Sequence, residues 1–298
     1  INKDGLLING INNDVPIKVQ ATRPDELEGE LDLILLCVKA QDTEPAMKTL
    51  MPHIGPQTTI VSLQNGLNET FISDIVGPQR TIGCLVNWSG DYIDNGHILF
   101  GGEGPMRVGT LNGNITDTLV RIKLLLDHVA PTSITQNILG FLWSKVIWGC
   151  FYIGNALGKA TVIEMLEDRH NQPILLDLFK EGVKVAESET IILEPLIEHC
   201  FNPAELARLP QEKAIPIFNE MAKCFEGHTK VYSGPWRDVA VRKRATEVDH
   251  IIGPIVRIGK NNNIPTPLNS RLVTLIKEIE RGERGQDNNN LRDLESLM

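Results

Sequence analysis

The chain has few of the residues that mark disulfide-bonded and zinc-binding proteins. Its five cysteines are an odd number, lie far apart, and form no CxxC pair. The seven histidines show no HxH or HxxxH spacing and join no cysteine cluster, so the sequence predicts no metal site. We therefore expect reduced cysteines in the core of a cytoplasmic protein. They are Cys37, Cys84, Cys150, Cys200 and Cys224.

Long hydrophobic runs and an excess of basic residues are also missing. No apolar stretch reaches the ~18 residues needed to cross a bilayer, and the first residues do not resemble a signal peptide. The formal net charge of -9 leaves no Lys/Arg excess to neutralise phosphates. This argues against nucleic acid and anionic membranes as partners. A small molecule is the partner that we expect.

An initiator methionine is missing too. The chain starts at Ile1, and residues 5–10 and 15–20 already have the pattern of a strand pair. We interpret this start as that of a fragment or a processed chain. The length is sufficient for a large core and for about two domains.

Two apolar segments, residues 31–40 and 58–66, predict the centre of an α/β domain. Each ends in a polar residue, which is typical of strands buried on both faces of a parallel sheet. Residues 42–52 between them have helical periodicity, so the three together predict a strand, crossover and strand unit. Lys39 and Asn65 then lie at the carboxyl ends of parallel strands, where ligands bind in α/β proteins. They suit a carboxylate, a carbonyl or a ribose.

The remaining periodicity divides the chain into an α/β half, residues 1–136, and a helical half, residues 137–298. The first half contains a predicted helix at 117–128, and its predicted strands are 31–38, 58–63, 81–88, 97–100, 107–108 and 133–135. The second half contains predicted helices at 140–157, 162–166, 173–189, 203–208, 211–225, 236–260 and 267–281, followed by a loose polar tail from residue 282. The predicted fold class is α/β, with a partial Rossmann-type parallel sheet followed by an all-helical C-terminal domain.

Lys145 and Glu247 are candidates for chemistry in the helical half. Lys145 has Phe141, Leu142, Trp148 and Gly149 as its helical neighbours. It either extends to the surface along its aliphatic stem or points into a pocket as a proton donor. Glu247 either pairs with Lys243 and Arg244 on an exposed helix or accepts a hydrogen bond from a substrate hydroxyl.

The candidates at the sheet edge also have ordinary structural explanations. Lys39 could begin a solvated helix, and Asn65-Gly66 is a common turn dipeptide. The segment Gly101-Gly-Glu-Gly104 is not a phosphate loop, because Arg107 stands where a third glycine is needed. We interpret it as a hairpin turn.

Several segments occur in the order and spacing of the ketopantoate reductase family, which the chain resembles from Gly5 to about Arg281. They are Val38-Lys39-Ala40, Gln64-Asn65-Gly66, Leu142-Trp143-Ser144-Lys145, Arg244-Ala-Thr-Glu247-Val-Asp249 and Ile264-Pro-Thr-Pro267. The resemblance implies a Rossmann domain that binds NADPH and a helical domain that closes over 2-dehydropantoate, which is reduced to (R)-pantoate for coenzyme A synthesis. It also makes a homodimer through the helical domain an expectation.

The resemblance implies a role for each candidate. Lys145 is the expected general acid, and Glu247 is expected to bind the substrate hydroxyl. Lys39 and Asn65 are expected at the nicotinamide and substrate side of the crevice. Ser233 matches a family serine that contacts the substrate carboxylate, although its spacing to Glu247 is longer than is usual in the family.

The sequence departs from the family pattern in ways that keep alternatives open. The glycine fingerprint for the pyrophosphate is not present, so poor NADPH binding by this polypeptide is expected. Gly149 and Ile153 stand where the family offers asparagines to the substrate, and Asn155 is predicted on a different helix face. The alternatives are a reductase of another 2-oxo acid and a non-catalytic binding or assembly protein.

Overall fold

The computed structural model of the protein describes residues 1–10, 16–102, 104–196, 202–226 and 231–298. The contacts among them define two compact units. Unit 1 contains Ile1–Val38, Asp42–Gln64 and Asn68–Ile138, and unit 2 contains Lys39–Gln41, Asn65–Leu67 and Leu139–Met298. The predicted fold class is confirmed, since unit 1 is α/β and unit 2 is helical. The functional division into residues 1–136 and 137–298 stays a prediction.

Unit 1 contains a five-stranded sheet of order β2-β3-β4-β7-β8 and a three-stranded sheet of order β1-β6-β5. In the larger sheet β2, β3 and β4 are parallel, β7 is antiparallel to β4, and β8 is parallel to β7. The strands are β1 (Leu7–Asn9), β2 (Leu33–Leu36), β3 (Thr59–Ser62), β4 (Thr81–Val86), β5 (Ser89–Asp94), β6 (His97–Gly102), β7 (Met106–Thr110) and β8 (Thr132–Ile134).

Helices cover both faces of the larger sheet because successive side chains of a strand point to opposite sides. Ile60 of β3 belongs to an apolar cluster with α1 (Thr43–Leu50) and α2 (Glu69–Val76). Its neighbour Val61 belongs to a second cluster with α3 (Asp117–Leu126). The crossover predicted between β2 and β3 is thus confirmed as α1.

Strand β2 differs from the prediction that it is buried on both faces. Ile34 and Leu36 are buried, but Leu35 is 40% exposed and Cys37 is exposed as well. The strand lies at the edge of the sheet and pairs with β3 alone among the described strands; Ile34 and Leu36 face the cluster with α1 and α2, whereas Leu35 lies on the opposite face. An apolar run therefore indicated the strand correctly and its burial wrongly.

Other predictions for unit 1 also need correction. Gly101 and Gly102 are not in a hairpin turn but extend β6, where Gly102 pairs with Ser89 of the unpredicted strand β5; Glu103 lies outside the described residues. The predicted strand pair near the start is reduced to β1 and an antiparallel bridge between Leu6 and Ile17, and residues 11–15 lie outside the described residues.

The cysteine prediction is partly wrong as well. The four described cysteines are free, but Cys37 and Cys224 are exposed, and only Cys84 and Cys150 are buried. Cys200 lies outside the described part of the chain. In that part, no three His, Cys, Asp or Glu side chains are placed to hold a metal ion.

Unit 2 is built around α4 and α6, whose aromatic side chains pack together. The rings of Phe151 and Phe179 are stacked with centroids 5.2 Å apart, and the Trp148 ring meets Phe151 edge-on. The helices are α4 (Ile138–Asn155), α5 (Val162–Glu167), α6 (Asn171–Ser188), α7 (Pro203–Arg208), α8 (Gln211–Lys223), α9 (Gly234–Ala240), α10 (Val248–Ile251), α11 (Gly253–Asn261) and α12 (Pro267–Glu280). None of the helices described has the length and apolarity needed to span a bilayer.

The long helix predicted at residues 236–260 is wrong, because three shorter helices occupy this stretch. Helix α9 ends at Ala240, and Lys243 has a φ of 50°, a left-handed conformation that a helix cannot contain. The N–H of Arg244 donates to the carbonyl of Asp238 rather than continuing the helix. Glu247 consequently precedes α10 as its N-cap residue.

The tail after residue 282 is not loose as predicted. Residues Asn288–Leu297 form a 3₁₀ helix, and Leu291 and Leu294 are buried in the core of unit 2. The sequence concealed this because the two leucines are separated by polar and charged residues. One of these neighbours, Asp293, forms an ion pair with Arg284 at 2.9 Å.

Candidate active site

All five residues predicted for the site belong to unit 2. Lys39 lies in the segment Lys39–Gln41 after β2, and Asn65 lies in the segment Asn65–Leu67 after β3. Lys145 lies on α4, Ser233 precedes α9, and Glu247 precedes α10. The structure thus assigns both turns at the carboxyl ends of β2 and β3 to the unit that contains the helical candidates.

Gln64 holds the ends of β2 and β3 together, a role that the sequence analysis missed. Its side-chain amide donates to the carbonyl of Val38 and to the hydroxyl of Thr43, both at 2.8 Å. Gly66 adopts a φ of 95°, which glycine allows at little cost. The signal for this role is the polar Gln64 directly after an apolar strand.

Lys39 and Glu247 meet in space. The Lys39 ammonium lies 3.7 Å from Glu247 Oε2, and the N–H of Ala40 donates to Glu247 Oε1 at 3.1 Å. Thr246 fixes the backbone before Glu247, because its N–H and hydroxyl both donate to Glu280 Oε1, at 2.8 and 2.7 Å. Glu247 therefore pairs with Lys39 rather than with Lys243 or Arg244 on an exposed helix.

Asp238 is the centre of this cluster and was not among the predicted residues. Its carboxylate, whose side chain is 4% exposed, accepts from Lys39 Nζ at 2.5 Å and from Arg242 and Arg244 at 3.2 and 2.8 Å. Burial alone would raise the pKa of Asp238, but the hydrogen bonds and charges of Lys39 and Arg244 outweigh it and hold the pKa below its usual value. An aspartate four residues before Arg242 was the available signal.

The charge balance of the cluster favours an anion. Lys39, Arg242 and Arg244 are three cations, and they share the two carboxylates of Asp238 and Glu247. One positive charge is therefore in excess within this group. Such a surplus attracts a carboxylate substrate at close range.

Lys145 is half-buried on α4 between buried neighbours that include Ser144 and Val146. The Ser144 hydroxyl accepts from the N–H of Glu194 at 3.1 Å, which fixes this turn of α4. A lysine ammonium is a chemically reasonable proton donor. Its role, like that of Asn65, stays a prediction.

Ser233 is the N-cap of α9. Its buried hydroxyl accepts from the N–H of Trp236 at 3.1 Å and donates to the carbonyl of Tyr152 at 2.8 Å. The hydroxyl proton is therefore engaged within the protein in this structure. The predicted contact of Ser233 with the substrate carboxylate stays a prediction.

The positions that depart from the family pattern offer no polar group. A Cβ on Gly149 would lie 2.3 Å from Ile251 Cγ2, so no asparagine side chain fits there. Ile153 is fully buried in the core. Asn155 is buried too, and its amide donates to the carbonyl of Ala160 while its oxygen accepts from the N–H of Ser233.

A cavity of about 470 Å³ lies elsewhere in unit 2. It is lined by residues of the loop after α4, by α5, by the start of α6 and by the C-terminal 3₁₀ helix; among them are Lys159, Glu164, Asp168, Asn171 and Asn288. None of the five predicted site residues lines it. The cavity is therefore separate from the Lys39, Asp238 and Glu247 cluster.

Comparison with known proteins gives a consistent result. Residues 1–113 match the family described as ketopantoate reductase PanE/ApbA, and residues 137–280 match its C-terminal part. The 2-dehydropantoate 2-reductase of Pyrococcus horikoshii is 27% identical over 286 residues, which cover 94% of this chain and 85% of that protein.

Solved structures agree on the fold. A PanE/ApbA family ketopantoate reductase from Ralstonia eutropha has a TM-score of 0.76 at 23% identity, covering 95% of this chain and 87% of its own. D-mandelate dehydrogenase, solved with NADH and anilino(oxo)acetate, has a TM-score of 0.77 at 22% identity, covering 94% and 86%. Because both parts of the family match this chain, and together they cover most of its residues, the chain belongs to the ketopantoate reductase family, an NADP-dependent oxidoreductase family.

Proposed function

We propose that this protein reduces 2-dehydropantoate to (R)-pantoate with NADPH in the cytoplasm, as part of pantothenate and coenzyme A synthesis. The observation that supports it best is the cluster in which Lys39, Arg242 and Arg244 share the carboxylates of Asp238 and Glu247, because its one excess positive charge suits the anion of a 2-oxo acid. Family membership supports the type of reaction. The residues of unit 2 supply the groups that the reaction needs from the protein.

Reduction of a ketone needs a hydride at carbon, a proton at oxygen and a fixed substrate. When bound, NADPH supplies the hydride. Lys145 donates the proton to the ketone oxygen from its half-buried position on α4. Lys145 thus acts as the general acid.

Glu247 and Lys39 orient the substrate. Glu247 Oε1 is occupied by the N–H of Ala40, and Oε2 lies 3.7 Å from Lys39 Nζ, which is too long for a hydrogen bond. Oε2 therefore has capacity to accept a hydrogen bond from the substrate hydroxyl. Lys39 uses one of its three protons for Asp238 and has others for the substrate.

The turns after β2 and β3 fit a nicotinamide nucleotide. Parallel strands present their carboxyl ends to such ligands, and Gln64 fixes the ends of these two strands against each other. Lys39 and Asn65 are the residues that would hold the nicotinamide and ribose side, with Asn65 and Ser233 also assigned to the substrate. In this assignment residues 1–136 hold the dinucleotide and residues 137–298 hold the substrate.

Another 2-oxo acid is the second candidate substrate. The observation in its favour is the close contact of Gly149 with Ile251 and the burial of Ile153, which leave two substrate-facing amides of the family pattern without a counterpart. A branched or hydroxylated 2-oxo acid that needs fewer amide contacts fits this arrangement. The fold and the general acid are unchanged.

The test is NADPH oxidation by protein expressed from its full reading frame, with 2-dehydropantoate and with a panel of 2-oxo acids. The highest kcat/KM for 2-dehydropantoate supports the first candidate. A clear preference for another acid supports the second. Binding of neither NADPH nor NADH would overturn both.

The resemblance also leads us to propose a homodimer formed through the helical unit. Light scattering on the purified protein tests it. A mass of twice the chain supports the dimer, and a single-chain mass overturns it.

A further inference from the structure

The C-terminal segment makes hydrogen bonds to five consecutive residues of one loop. Four of its residues, Gln286, Asp287, Asn288 and Asn290, contact the loop 156–160 that follows α4, and we call these four the latch. Gln286 Nε2 donates to the carbonyls of Ala156 and Gly158. The Asp287 N–H and Asn290 Nδ2 both donate to the carbonyl of Leu157. Asn288 Oδ1 accepts from the N–H groups of Lys159 and Ala160, and all six distances lie between 2.7 and 3.2 Å.

The latch is itself fixed to the core of unit 2. Asn290 is buried, and its oxygen accepts from Arg284 at 2.9 Å. Leu291 and Leu294 follow it into the apolar core. The latch therefore presents its polar groups to the loop from a rigid base.

Gly158 shows how closely the latch and the loop approach each other. A Cβ at this position would lie 2.6 Å from Asn288 Oδ1 and 3.3 Å from Asn288 Cα. Any residue with a side chain would displace Asn288. Glycine is therefore needed for the contact.

The other side of the loop holds the start of α9. The carbonyl of Gly158, which accepts from Gln286, also accepts from Trp236 Nε1 at 3.0 Å. The carbonyl of Ala160 accepts from Asn155, whose oxygen in turn accepts from the N–H of Ser233 at 3.2 Å. The latch and α9 thus share the Gly158 carbonyl, and a second link runs from Asn288 through Ala160 and Asn155 to Ser233.

This junction connects the C-terminal segment with the candidate active site. Helix α9 carries Asp238, which holds the Lys39 ammonium, and α4 carries Lys145. A shift of the loop moves Trp236 and Ser233, and with them the first turn of α9. Asp238 follows directly on that turn.

We propose that the latch is a positioning device for the reductase site and that Gln286 and Asn290 are its positioning residues. They hold loop 156–160, the loop holds the start of α9, and α9 holds Asp238 against Lys39. The inference rests on the proposed reductase function. It assigns a catalytic requirement to a segment distant in sequence from every predicted site residue.

The test compares Gln286→Glu and Asn290→Ala with the control Asn289→Ala. The Glu variant keeps the shape of Gln286 but loses both donated bonds, whereas Asn289 is exposed and its N–H donates to Asp287 Oδ1. For variants that stay folded at the assay temperature, we expect kcat to fall about tenfold in the two latch variants and the KM for NADPH to stay unchanged. The control should match the wild type.

A double-mutant cycle with Lys39→Ala separates positioning from loss of stability. If the latch acts through Lys39, Gln286→Glu should cost little further activity in the Lys39→Ala background. Additive losses would overturn the inference. Full activity of both single latch variants would also overturn it and leave the proposed function standing.

Hydrogen exchange of the α9 amides gives a readout that does not depend on turnover. Faster exchange at residues 236–240 in both latch variants, but not in Asn289→Ala, supports the mechanical link even if 2-dehydropantoate is not the substrate. Unchanged exchange contradicts the link. An inactive wild type would overturn the proposed function by itself.

Discussion

The Lys39 ammonium lies 2.5 Å from Asp238 Oδ2, although 199 positions separate the two residues in the sequence. The contact joins the turn after β2 to α9. It also supplies a cation to an aspartate that is 4% exposed and bound by Arg242 and Arg244 as well. Since Glu247 contacts the same turn through Ala40, the pair organises the candidate site.

Replacing Asp238 should destabilise the protein. Asp238→Asn keeps the shape but leaves Lys39, Arg242 and Arg244 without their shared anion. Because the two arginines are partly solvent-exposed, we expect a loss of roughly 1–3 kcal/mol in the free energy of unfolding, measured in urea. Asp177→Asn, which removes a neighbouring-turn pair with Lys180 whose side chains are each about one third exposed, should change it by less than about 0.5 kcal/mol. Equal effects would contradict a special role for Asp238.

The lowered pKa of Asp238 predicts a dependence of stability on acid. The folded-state pKa lies below the unfolded value of about 3.9. The contribution is therefore complete above the unfolded pKa and is lost as the pH falls through the folded pKa. Urea unfolding across this acidic range should show a steeper decline for the wild type than for Asp238→Asn. Parallel curves for the two proteins would contradict the predicted contribution of Asp238 to stability.

The buried Glu69 predicts that stability depends on pH in the opposite direction. This carboxyl is 1% exposed at the start of α2, and burial raises its pKa to about 7, with the Ser62 hydroxyl and the amides of Asn68 and Glu69 opposing the shift. Strand β4, against which α2 packs, has no titratable group except the buried Cys84. Arg80 donates to the carbonyl of Val76 at the far end of α2 and to the carbonyl of Gly55.

Because this folded pKa exceeds the unfolded value of about 4.3, stability is complete below that value and is lost as the pH rises through about 7. The cost at higher pH is on the order of 3 kcal/mol. We expect Glu69→Gln to remove this decline and to be the more stable protein at pH above 7. Glu44→Gln, in an exposed pair with Lys48, should keep the wild-type profile. Retention of the decline in Glu69→Gln would refute the assignment.

Gly149 should not tolerate a methyl group. Its Cβ would lie 2.3 Å from Ile251 Cγ2, so Gly149→Ala should cost about 1–3 kcal/mol of unfolding free energy. Gly154→Ala on the same helix has its nearest neighbour at 3.7 Å and should stabilise by about 0.5–1 kcal/mol through helix propensity. Thermal unfolding of both variants checks the pair. A stable Gly149→Ala protein would contradict the close packing of α4 on α10.

Lys145→Ala should lower kcat with the preferred 2-oxo acid by at least about a hundredfold, because the ketone oxygen loses its proton donor. The affinity for NADPH should remain nearly unchanged. Lys184→Ala, an exposed lysine of the neighbouring helix α6, is the matched control. Similar turnover in Lys145→Ala and the control would remove Lys145 from the mechanism.

Local sequence signals predicted most elements of the fold. The run before Lys39 and the run before Asn65 are strands β2 and β3, and the helix predicted at 162–166 is α5. These signals are read within a few residues, and so they are independent of distant parts of the chain. They failed where a distant contact decided the outcome, as at Asp238, which lies in the predicted long helix but is bound by Lys39 from 199 positions away, and the helix ends at Ala240.

The sequence by itself determined the α/β-to-helical order, the family and the identity of Lys39, Asn65, Lys145, Ser233 and Glu247 as candidates. Only the tertiary structure decided that Glu247 faces Lys39, that Ser233 caps a helix, and that the polar tail closes on loop 156–160. Periodicity and motifs report the preferences of a backbone segment and of its own side chains. Pairing across 199 positions depends on how the helices and turns pack, which no short segment encodes.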